Sequence, residues 1–327
     1  MKILVTGGAG YIGSHTIREL EARGHEVVAL DNLERGHAQS IRCPLLKIDL
    51  RDELATRRAV ASQLFDGVIH FAAYCSTSES VAHPEMYFGN NVRGTINLLN
   101  ALVANGIKRL VFSSTCAVYG QPDKLPVAED NDFRPESPYG ESKYLVERML
   151  PWYDRAHGLK TVAFRYFNAS GASLDGSIGD EAGPRSRLIP NMMKAALGVA
   201  PSLTLYGTDY PTPDGTCLRD YIHVLDLAEA HLLALEHLTA GGQSDFLNLG
   251  TGVPYSNLQI VNMMKKVSGI DFPVNLGPRR PGDPAEVYAD NRKARRVLNW
   301  GPKHSDLETI IRSDWAWHSK HPHGYGD

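Results

Sequence analysis

The feature that most constrains the fold is the pattern of strand, turn and helix at the start of the chain. Lys2–Thr6 is a short apolar run of the kind that forms a buried parallel strand. Gly7, Gly10 and Gly13 follow, and a helical pattern then continues to Leu20. Glycines at this spacing permit a tight turn and bring the backbone close to a pyrophosphate at the N-terminus of the helix. The pattern therefore predicts a dinucleotide-binding turn, and a glycine-rich turn without a ligand is the alternative.

The next two predicted strands are followed by acidic residues. Glu26–Leu30 leads into Asp31-Asn32, about 20 residues past the glycines. A carboxylate here accepts hydrogen bonds from the adenosine ribose and repels a 2′-phosphate, which indicates NAD rather than NADP. A strand over 45–48 leads into Asp49-Leu50. We expect this pair to flank the adenine, although Asp49 is also placed to cap the following helix.

Three further strands are predicted, over 67–71, 110–113 and 161–166, and a helix that carries Asn90 lies among them. Small or hydroxyl-bearing residues come at their ends, including Ala72, Ala73, Ser113, Ser114 and Thr115. Strands that alternate with helices imply an α/β fold with a doubly wound, Rossmann-like parallel sheet. The carboxyl ends of such strands face the crevice in which ligands bind.

The composition changes after Asn168 to a stretch rich in Gly, Ser and Pro, which indicates the start of a second lobe. We predict a dinucleotide-binding domain over 1–168 and a smaller α/β substrate lobe over 169–327. A strand at Phe246–Asn248 is expected to return to the large sheet, so that a segment near 219–250 belongs with the first domain. The substrate should then bind in the crevice between the two lobes.

The chain also carries a tyrosine and a lysine four residues apart at the start of a predicted helix. Ser137 is placed to cap that helix and Pro138 to occupy its first turn. Tyr139 and Lys143 then present their polar ends on one face. A phenol has a pKa of about 10, and an ammonium beside it favours the phenolate. The pair can take a proton from a sugar hydroxyl, but an amphipathic helix can also carry this spacing by chance.

Charge and composition exclude several classes of function. The formal net charge of −3 over 327 residues gives no basis for binding nucleic acid or a membrane surface. No apolar run is long enough to span a bilayer, and strand-forming residues begin at Ile3, which leaves no room for a secretory signal. The four cysteines have neither close pairing nor the spacing of metal ligands. We therefore expect a cytoplasmic protein with reduced thiols and no metal site.

Several motifs together resemble a known family, the extended short-chain dehydrogenase/reductases, and within it the UDP-sugar 4-epimerases. In the first half they are Thr6–Gly13, Asp31-Asn32, Ser113-Ser114-Thr115, Tyr139-x-x-x-Lys143 and Arg165-Tyr166-Phe167-Asn168. In the second half they are Tyr206–Tyr210, Asp214-Gly215-Thr216, Arg219–Val224, Asn248-Leu249-Gly250, Arg280-Pro281-Gly282-Asp283, Asn299-Trp300 and His321–Tyr325. The resemblance extends over almost the whole chain.

The resemblance implies 4-epimerisation of a nucleotide-diphosphate sugar, with UDP-glucose and UDP-galactose as the expected substrates and NAD as the resident cofactor. Tyr139 would take the proton of the sugar 4-hydroxyl while hydride passes from C4 to NAD. Thr115 would share a hydrogen bond with that hydroxyl, and Lys143 would bridge the nicotinamide ribose and lower the pKa of Tyr139. The 4-keto sugar would turn over in the site and receive the hydride on its other face.

The resemblance also implies two sets of binding residues. The cofactor set is Gly7, Gly10, Tyr11, Ile12, Asp31, Asn32, Asp49, Leu50, Phe71, Ala72, Ala73, Asn90, Ser113, Tyr139, Lys143 and Tyr166. The substrate set is Thr115, Asn168, Arg187, Leu188, Thr204, Tyr206, Arg219, Tyr221, Arg280, Asp283 and Val287. Arginine suits the diphosphate because its guanidinium binds phosphate oxygens in pairs. Helices over 90–102 and 144–150 would pair with those of a second copy in a homodimer.

Three positions depart from the family pattern and leave the sugar range open. Cys75 stands where lysine is common near the cofactor, and Arg187 stands where asparagine or histidine is common near the diphosphate. Val287 stands where tyrosine or cysteine often lies beside the sugar, and this smaller side chain leaves space for an N-acetyl group. Hexoses, N-acetylhexosamines and pentoses all stay possible.

Three other functions compete with epimerisation on this scaffold. A nucleotide-sugar 4,6-dehydratase or decarboxylase is one of them, but dehydration needs an acidic residue beside the threonine, and Cys116 follows Thr115 here. A net dehydrogenase would release NADH at each turnover. A non-catalytic NAD-sensing protein would not need the set of Thr115, Tyr139 and Lys143.

Overall fold

A computed structural model of the chain describes residues 1–181, 187–280 and 282–326. Its strands are β1 (Lys2–Thr6), β2 (Glu26–Asp31), β3 (Leu45–Lys47), β4 (Gly67–His70), β5 (Arg109–Ser113), β6 (Lys160–Tyr166), β7 (Asn168–Ser170), β8 (Leu203–Tyr206), β9 (Leu218–His223), β10 (Asp245–Leu249), β11 (Pro254–Ser256), β12 (Val274–Gly277) and β13 (Glu286–Val287). Its α-helices are α1 (Tyr11–Ala22), α2 (Glu53–Ala61), α3 (Thr77–Ala82), α4 (Pro84–Tyr87), α5 (Gly94–Ala104), α6 (Pro138–His157), α7 (Leu188–Ala196), α8 (Val224–Thr239), α9 (Asn257–Ser268), α10 (Arg292–Leu298) and α11 (Leu307–Lys320).

Seven strands form one parallel sheet in the order β10-β6-β5-β4-β1-β2-β3. This order confirms the predicted doubly wound α/β fold. The chain proceeds from β1 to β2 and β3 in one direction and from β4 to β5 and β6 in the other. Because the winding reverses between β1 and β4, a crevice opens beyond the carboxyl ends of these two strands.

Helices cover both faces of the large sheet, as its alternating side chains require. On one face Val5 of β1 packs in an apolar cluster with Leu20 of α1 and Leu235 of α8. Leu4, which precedes Val5 in β1, faces the other side of the sheet. It packs there with Leu98 of α5 and with residues of α2 and α6. Within the described ranges, no helix is both long and apolar enough to cross a bilayer.

The second lobe is built from a small sheet and three helices. Strand β9 lies at the centre of a four-stranded sheet with β7, β11 and β13, and β8 pairs with β12 in a separate ribbon. Helices α7, α9 and α11 surround an apolar core that includes Met193, Ile260 and Ile310. This lobe presents the small sheet to the crevice beside the large one.

The expected return of the chain to the first lobe occurs, but it begins later than predicted. Strand β10 pairs in parallel with β6, which confirms the expectation for Phe246–Asn248. Strand β9 does not join the large sheet, because it pairs with β7, β11 and β13 instead. The return therefore starts with α8, and the boundary between 168 and 169 stays a prediction.

Candidate active site

Most of the residues predicted to hold a dinucleotide lie at or beyond the carboxyl ends of the strands of the large sheet. They are Gly7, Gly10, Tyr11 and Ile12 between β1 and α1, Asp31 and Asn32 at the end of β2, Asp49 and Leu50 after β3, Phe71, Ala72 and Ala73 after β4, Asn90 in a π-helical turn, Ser113 at the end of β5, Tyr139 and Lys143 in α6, and Tyr166 at the end of β6. The topology thus brings residues from six strands to one crevice.

The turn between β1 and α1 is packed so closely that side chains would not fit. Gly7 has a φ of +68°, and a Cβ built there would lie 2.5 Å from the backbone N of Ala72. A Cβ on Gly13 would overlap the carbonyl oxygen of Gly7. Within the described residues, Gly10 caps α1 without a side-chain hydrogen bond, and the first turn of α1 has no acidic residue. The free N–H groups and the positive end of the helix dipole make this turn fit a pyrophosphate.

The carboxylate of Asp31 borders the same turn. It is 8% exposed, and it accepts hydrogen bonds from the N–H groups of Ala9 at 3.1 Å and Leu33 at 2.9 Å. Burial raises its pKa, while these hydrogen bonds and the nearby His37 oppose the rise. A carboxylate accepts about four hydrogen bonds, so Asp31 keeps the capacity to accept the two hydroxyls of a ribose.

The alternative role suggested for Asp49, as a helix cap, is wrong. Asp52 caps α2, since its Oδ1 accepts from Ala55 N at 3.0 Å. Asp49 instead binds the guanidinium of Arg51 at 2.6 Å and accepts from Asn32 Nδ2 at 3.1 Å. The hydrogen bond from Arg51 lowers the pKa of Asp49 to about 2. This arrangement holds Asn32 and Asp49 side by side, at the place where the adenine is predicted to bind.

Helix α6 begins as predicted and directs Lys143 to the end of β5. Ser137 Oγ accepts from Gly140 N at 3.2 Å, which caps the helix. Lys143 is 3% exposed, and its Nζ donates to the carbonyl oxygen of Ser113 at 2.7 Å. Burial lowers the pKa of Lys143 to about 8. Ser113 Oγ also lies 2.5 Å from the hydroxyl of Tyr166, so one serine links Lys143 and Tyr166.

The pKa of Tyr139 is controlled mainly by burial. Burial raises it well above the ordinary value, the charges of Cys75 and Tyr166 raise it further, and a hydrogen bond with Thr115 lowers it. Lys143 donates from Nζ to the carbonyl oxygen of Ser113, and the expected lowering of the pKa of Tyr139 by this ammonium stays a prediction. Thr115 lies next to Tyr139, and both Tyr139 and Lys143 lie close enough to Cys75 for its charge to raise their pKa values.

Asn91, which was not among the predicted site residues, fixes the position of α6. The predicted helix around Asn90 is interrupted by a π-helical turn at Phe88–Arg93, which places Asn91 in the interior. Its Oδ1 accepts from Tyr74 N at 2.9 Å, and its Nδ2 donates to Tyr74 O and to Ser142 Oγ, both at 3.0 Å. Asn90 donates to Asn91 Oδ1 at 3.1 Å. A π-bulge often marks a functional site, but a single sequence gives no sign of one.

A buried ion pair supports the segment that carries Thr115, and it was also missed. Arg165 and Glu147 are 4% and 3% exposed, and the guanidinium donates three hydrogen bonds to the carboxylate, at 3.0, 3.1 and 2.7 Å. Ser114 Oγ donates to Glu147 Oε1 at 2.5 Å, and Arg165 also donates to Tyr119 OH at 2.9 Å. Glu147 follows Lys143 by four residues and lies on the same face of α6 as Tyr139. This spacing is the signal that could have identified it.

Part of the predicted substrate set meets at the small sheet. Val287 of β13 is paired with Arg219 of β9, and Arg219 lies 3.6 Å from Asp283. Asn168 of β7 donates from Nδ2 to the carbonyl oxygen of Asp220 at 3.1 Å. Val287 also packs in a cluster with Cys116, the residue after Thr115. The second lobe therefore reaches the pocket that holds Thr115 and Tyr139.

The remaining members of the substrate set are placed differently. Arg280 lies over the ring of Tyr206, 4.2 Å from its centroid, and Thr204 projects from the same face of β8. Tyr221 is 6% exposed and packs in the core of the second lobe. Burial raises its pKa, and Arg219 lies close enough for that guanidinium to oppose the rise. Pro281, part of the predicted motif, lies outside the described residues.

Arg187 points toward the first lobe rather than outward. It pairs with the carboxylate of Asp180 and lies 5.9 Å from the ring centroid of Tyr11. Leu188 follows it as the first residue of α7. Cys75, the other departure on the cofactor side, is exposed at the crevice. Arg187 thus adds a positive charge beside the glycine turn.

The comparisons with known proteins agree with this geometry. The model of a family described as the NAD dependent epimerase/dehydratase family matches residues 3–250. A UDP-glucose 4-epimerase of Lactobacillus helveticus is 48% identical over 329 residues, which covers 100% of both chains. A crystal structure of UDP-glucose 4-epimerase from Brucella ovis in complex with NAD has a TM-score of 0.94 and 45% identity, covering 96% of this chain and 97% of that one. A crystal structure of the enzyme from Bifidobacterium longum with NAD+ and UDP has a TM-score of 0.93 and 36% identity, covering 99% of this chain and 100% of that one.

Proposed function

The chain belongs to the NAD dependent epimerase/dehydratase family, and from that membership we propose that it is a UDP-sugar 4-epimerase with UDP-glucose and UDP-galactose as its substrates. The observation that carries the proposal is the proximity of Thr115 to Tyr139, close enough for the threonine side chain to lower the pKa of the phenol, with Lys143 one turn further along the same helix. Cys116 rather than an acidic residue follows Thr115, so the site lacks the acid that dehydration needs at this position.

The protein residues that would hold NAD follow from the crevice. The first turn of α1 would bind the pyrophosphate through Tyr11 and Ile12 N–H groups, and Asp31 would accept from the adenosine ribose. Lys143 would contact the nicotinamide ribose. When bound, NAD supplies the acceptor for the C4 hydride and gives the same hydride back.

Tyr139 would act as the base that receives the proton of the sugar 4-hydroxyl. Thr115 would hold that hydroxyl in place by sharing a hydrogen bond with it. Because burial raises the pKa of Tyr139, its phenolate depends on positive charge close to the ring. The ammonium of Lys143 and the cationic nicotinamide would provide that charge together.

The substrate diphosphate must be held firmly while the keto sugar turns over. Arg219 and Arg280 are suited to bind it, since each guanidinium offers paired N–H donors. Arg187 adds a third cation, and Asn168 offers an amide donor. Asp283 would accept from the nucleotide ribose. If the protein binds the substrate mainly through its phosphates, the sugar ring can turn and present either face to the nicotinamide.

A panel of UDP-hexoses, UDP-N-acetylhexosamines and UDP-pentoses, supplied without added NAD, tests the proposed reaction. We expect NMR to show interconversion of axial and equatorial configurations at C4, with no free NADH in the solution. A 4-keto-6-deoxy product would instead indicate dehydration. Stoichiometric release of NADH would indicate net oxidation, and either result would contradict epimerisation.

Val287 is proposed to set the tolerance for an N-acetyl group. It is half-buried and borders the same apolar cluster as Cys116, the residue that follows Thr115. We expect Val287→Tyr to lower the ratio of kcat/KM for UDP-N-acetylgalactosamine over that for UDP-galactose about tenfold or more, because the added ring fills the space of the acetyl group. Val287→Cys, which is close in volume, is the matched control and should keep the ratio. Equal losses on both substrates would show that Val287 does not select between them.

We propose that the protein is a homodimer assembled through α5 and α6. Trp152 on the outer side of α6 is 65% exposed, and Tyr153 OH donates to Asn100 of α5 at 2.8 Å, so the two helices form one continuous face. An exposed tryptophan on such a face is typical of an interface. Light scattering should give twice the 36.0 kDa chain mass, and Trp152→Glu should reduce it to a single chain. A wild-type mass of one chain would contradict the dimer.

A cytoplasmic location is also proposed. The four free cysteines, Cys43, Cys75, Cys116 and Cys217, support it, because free thiols are typical of reducing compartments.

A further inference from the structure

The last described residues, His321–Gly326, fold back toward the first lobe, and we call them the C-terminal latch. They follow α11 directly. Trp317 of α11 stacks on His321 with ring centroids 3.8 Å apart, and the ring of Tyr325 lies 4.7 Å from the same indole. The latch is therefore packed onto the helix that precedes it.

Tyr325 joins two segments that are far apart in the sequence. Its ring stacks on His37 with centroids 4.9 Å apart and 21° between the planes. Its hydroxyl donates to Gly179 O at 3.0 Å and accepts from Gly179 N at 3.2 Å. His37 Nε2 also lies 2.8 Å from a carboxylate oxygen of Glu181. One aromatic ring thus holds the loop after β2 against the segment 171–181.

His37 is part of the wall of the crevice that would hold NAD. Its backbone N–H donates to Ala9 O in the glycine turn at 2.9 Å. Ser40 Oγ donates to the same oxygen at 3.1 Å. The loop that ends at His37 begins at Asp31, the residue proposed to bind the adenosine ribose. A dinucleotide bound at both places would lie against this loop and the glycine turn together.

The segment 171–181 is fastened at its beginning as well as at its end. The hydroxyl of Tyr11, in the first turn of α1, donates to Gly171 O. Gly171 N donates to Asp314 of α11 at 2.9 Å, and Ala172 N donates to Ser313 Oγ at 3.0 Å. Helix α11 therefore holds the start of the segment while the latch holds its end against His37.

We propose that the stack of Tyr325 on His37 controls the rate at which NAD leaves the enzyme. This inference rests on the proposed function, which assigns NAD to the crevice. Release requires the loop 31–37 to move away from the glycine turn, and that movement breaks the stack and the pair of His37 with Glu181. Tyr325 is a positioning residue, because it acts through His37 and lies outside the set that would contact NAD or the sugar.

Exchange of bound NAD tests the proposal. Holoenzyme is mixed with excess ¹³C-labelled NAD, and the labelled share of protein-bound NAD is measured by mass spectrometry over time. We expect Tyr325→Ala to accelerate exchange about tenfold, since it removes one aromatic stack and the hydrogen bonds to Gly179. Tyr325→Phe keeps the stack and should accelerate exchange only about two- to threefold. His37→Ala should match Tyr325→Ala, and the double variant should be no faster than either one.

The melting temperature at saturating NAD separates this role from a general loss of stability. Faster exchange of bound NAD in a variant whose melting temperature is unchanged supports the proposed role of the latch. An unchanged exchange rate in Tyr325→Ala, with NAD bound to the wild type, would overturn the latch alone. A wild-type protein that carries no NAD at time zero would contradict the proposed function and this inference with it.

Discussion

Tyr139→Phe is expected to lower kcat for UDP-galactose by about 10³-fold, because a positioned acid–base group contributes about 10²–10⁴-fold to such a reaction. The variant loses the phenolic oxygen that exchanges a proton with the sugar 4-hydroxyl, while the ring keeps its place beside Tyr87, whose ring centroid is 6.3 Å away. We therefore expect the bound NAD to stay near the wild-type amount. Turnover is followed by NMR, and NAD is quantified after the protein is denatured.

Tyr144→Phe is the matched control for this variant. Tyr144 lies on the same helix, but it stacks on Phe133 at 5.0 Å, away from Lys143. Removal of its hydroxyl should leave kcat within about twofold, because the change is conservative and lies outside the pocket. If Tyr139→Phe keeps full activity, or if both variants lose it equally, Tyr139 is not the base.

Arg165→Met is expected to reduce the free energy of unfolding by about 3–5 kcal/mol, because it leaves the buried carboxylate of Glu147 without its partner. Both side chains are nearly inaccessible, at 5% and 2% side-chain exposure, so solvent cannot replace the lost contact. Urea unfolding at saturating NAD, followed by circular dichroism, measures the change.

The double variant Arg165→Met with Glu147→Leu shows whether the unpaired charge is the cause. It removes both charges at once, and paired replacement by apolar residues is often close to neutral. We expect it to recover most of the stability that the single variant loses. A single variant that loses less than about 1 kcal/mol would mean that water or another cation reaches Glu147.

The sequence was sufficient for the features that depend on local pattern. The order of strand, glycine turn and helix at Lys2–Leu20, the cap at Ser137 and the strand at Phe246–Asn248 are all seen in the structure. Each depends on short-range chemistry: a buried apolar run, the conformational freedom of glycine, or a hydroxyl placed before a helix. These signals fix the sheet and hence the edge at which the predicted residues meet.

The contacts of individual side chains were harder to predict from the sequence. The hydrogen bond from the ammonium of Lys143 to a carbonyl oxygen of β5 was not predicted, because tertiary packing brings that oxygen close. Asn91 turns inward because of a π-helical turn, and Asp49 is held by Arg51 rather than by a helix end. For Lys143 and Asn91 the partner is chosen by burial and by chain segments that meet only in the folded state, whereas Arg51 is a near neighbour of Asp49 in the sequence.

The position of β10 has a consequence for how the protein acquires its structure. The edge partner of β6 comes from beyond β7, α7, β8 and β9 in the chain. While the polypeptide emerges from the ribosome, one edge of β6 therefore stays unpaired until β7, α7, β8, β9 and α8 have all been synthesised. Pairing between such distant segments is slow, and a strand that waits in this way is open to association with other chains. We expect the completion of the large sheet, rather than the closure of the glycine turn, to be the late step of its biogenesis.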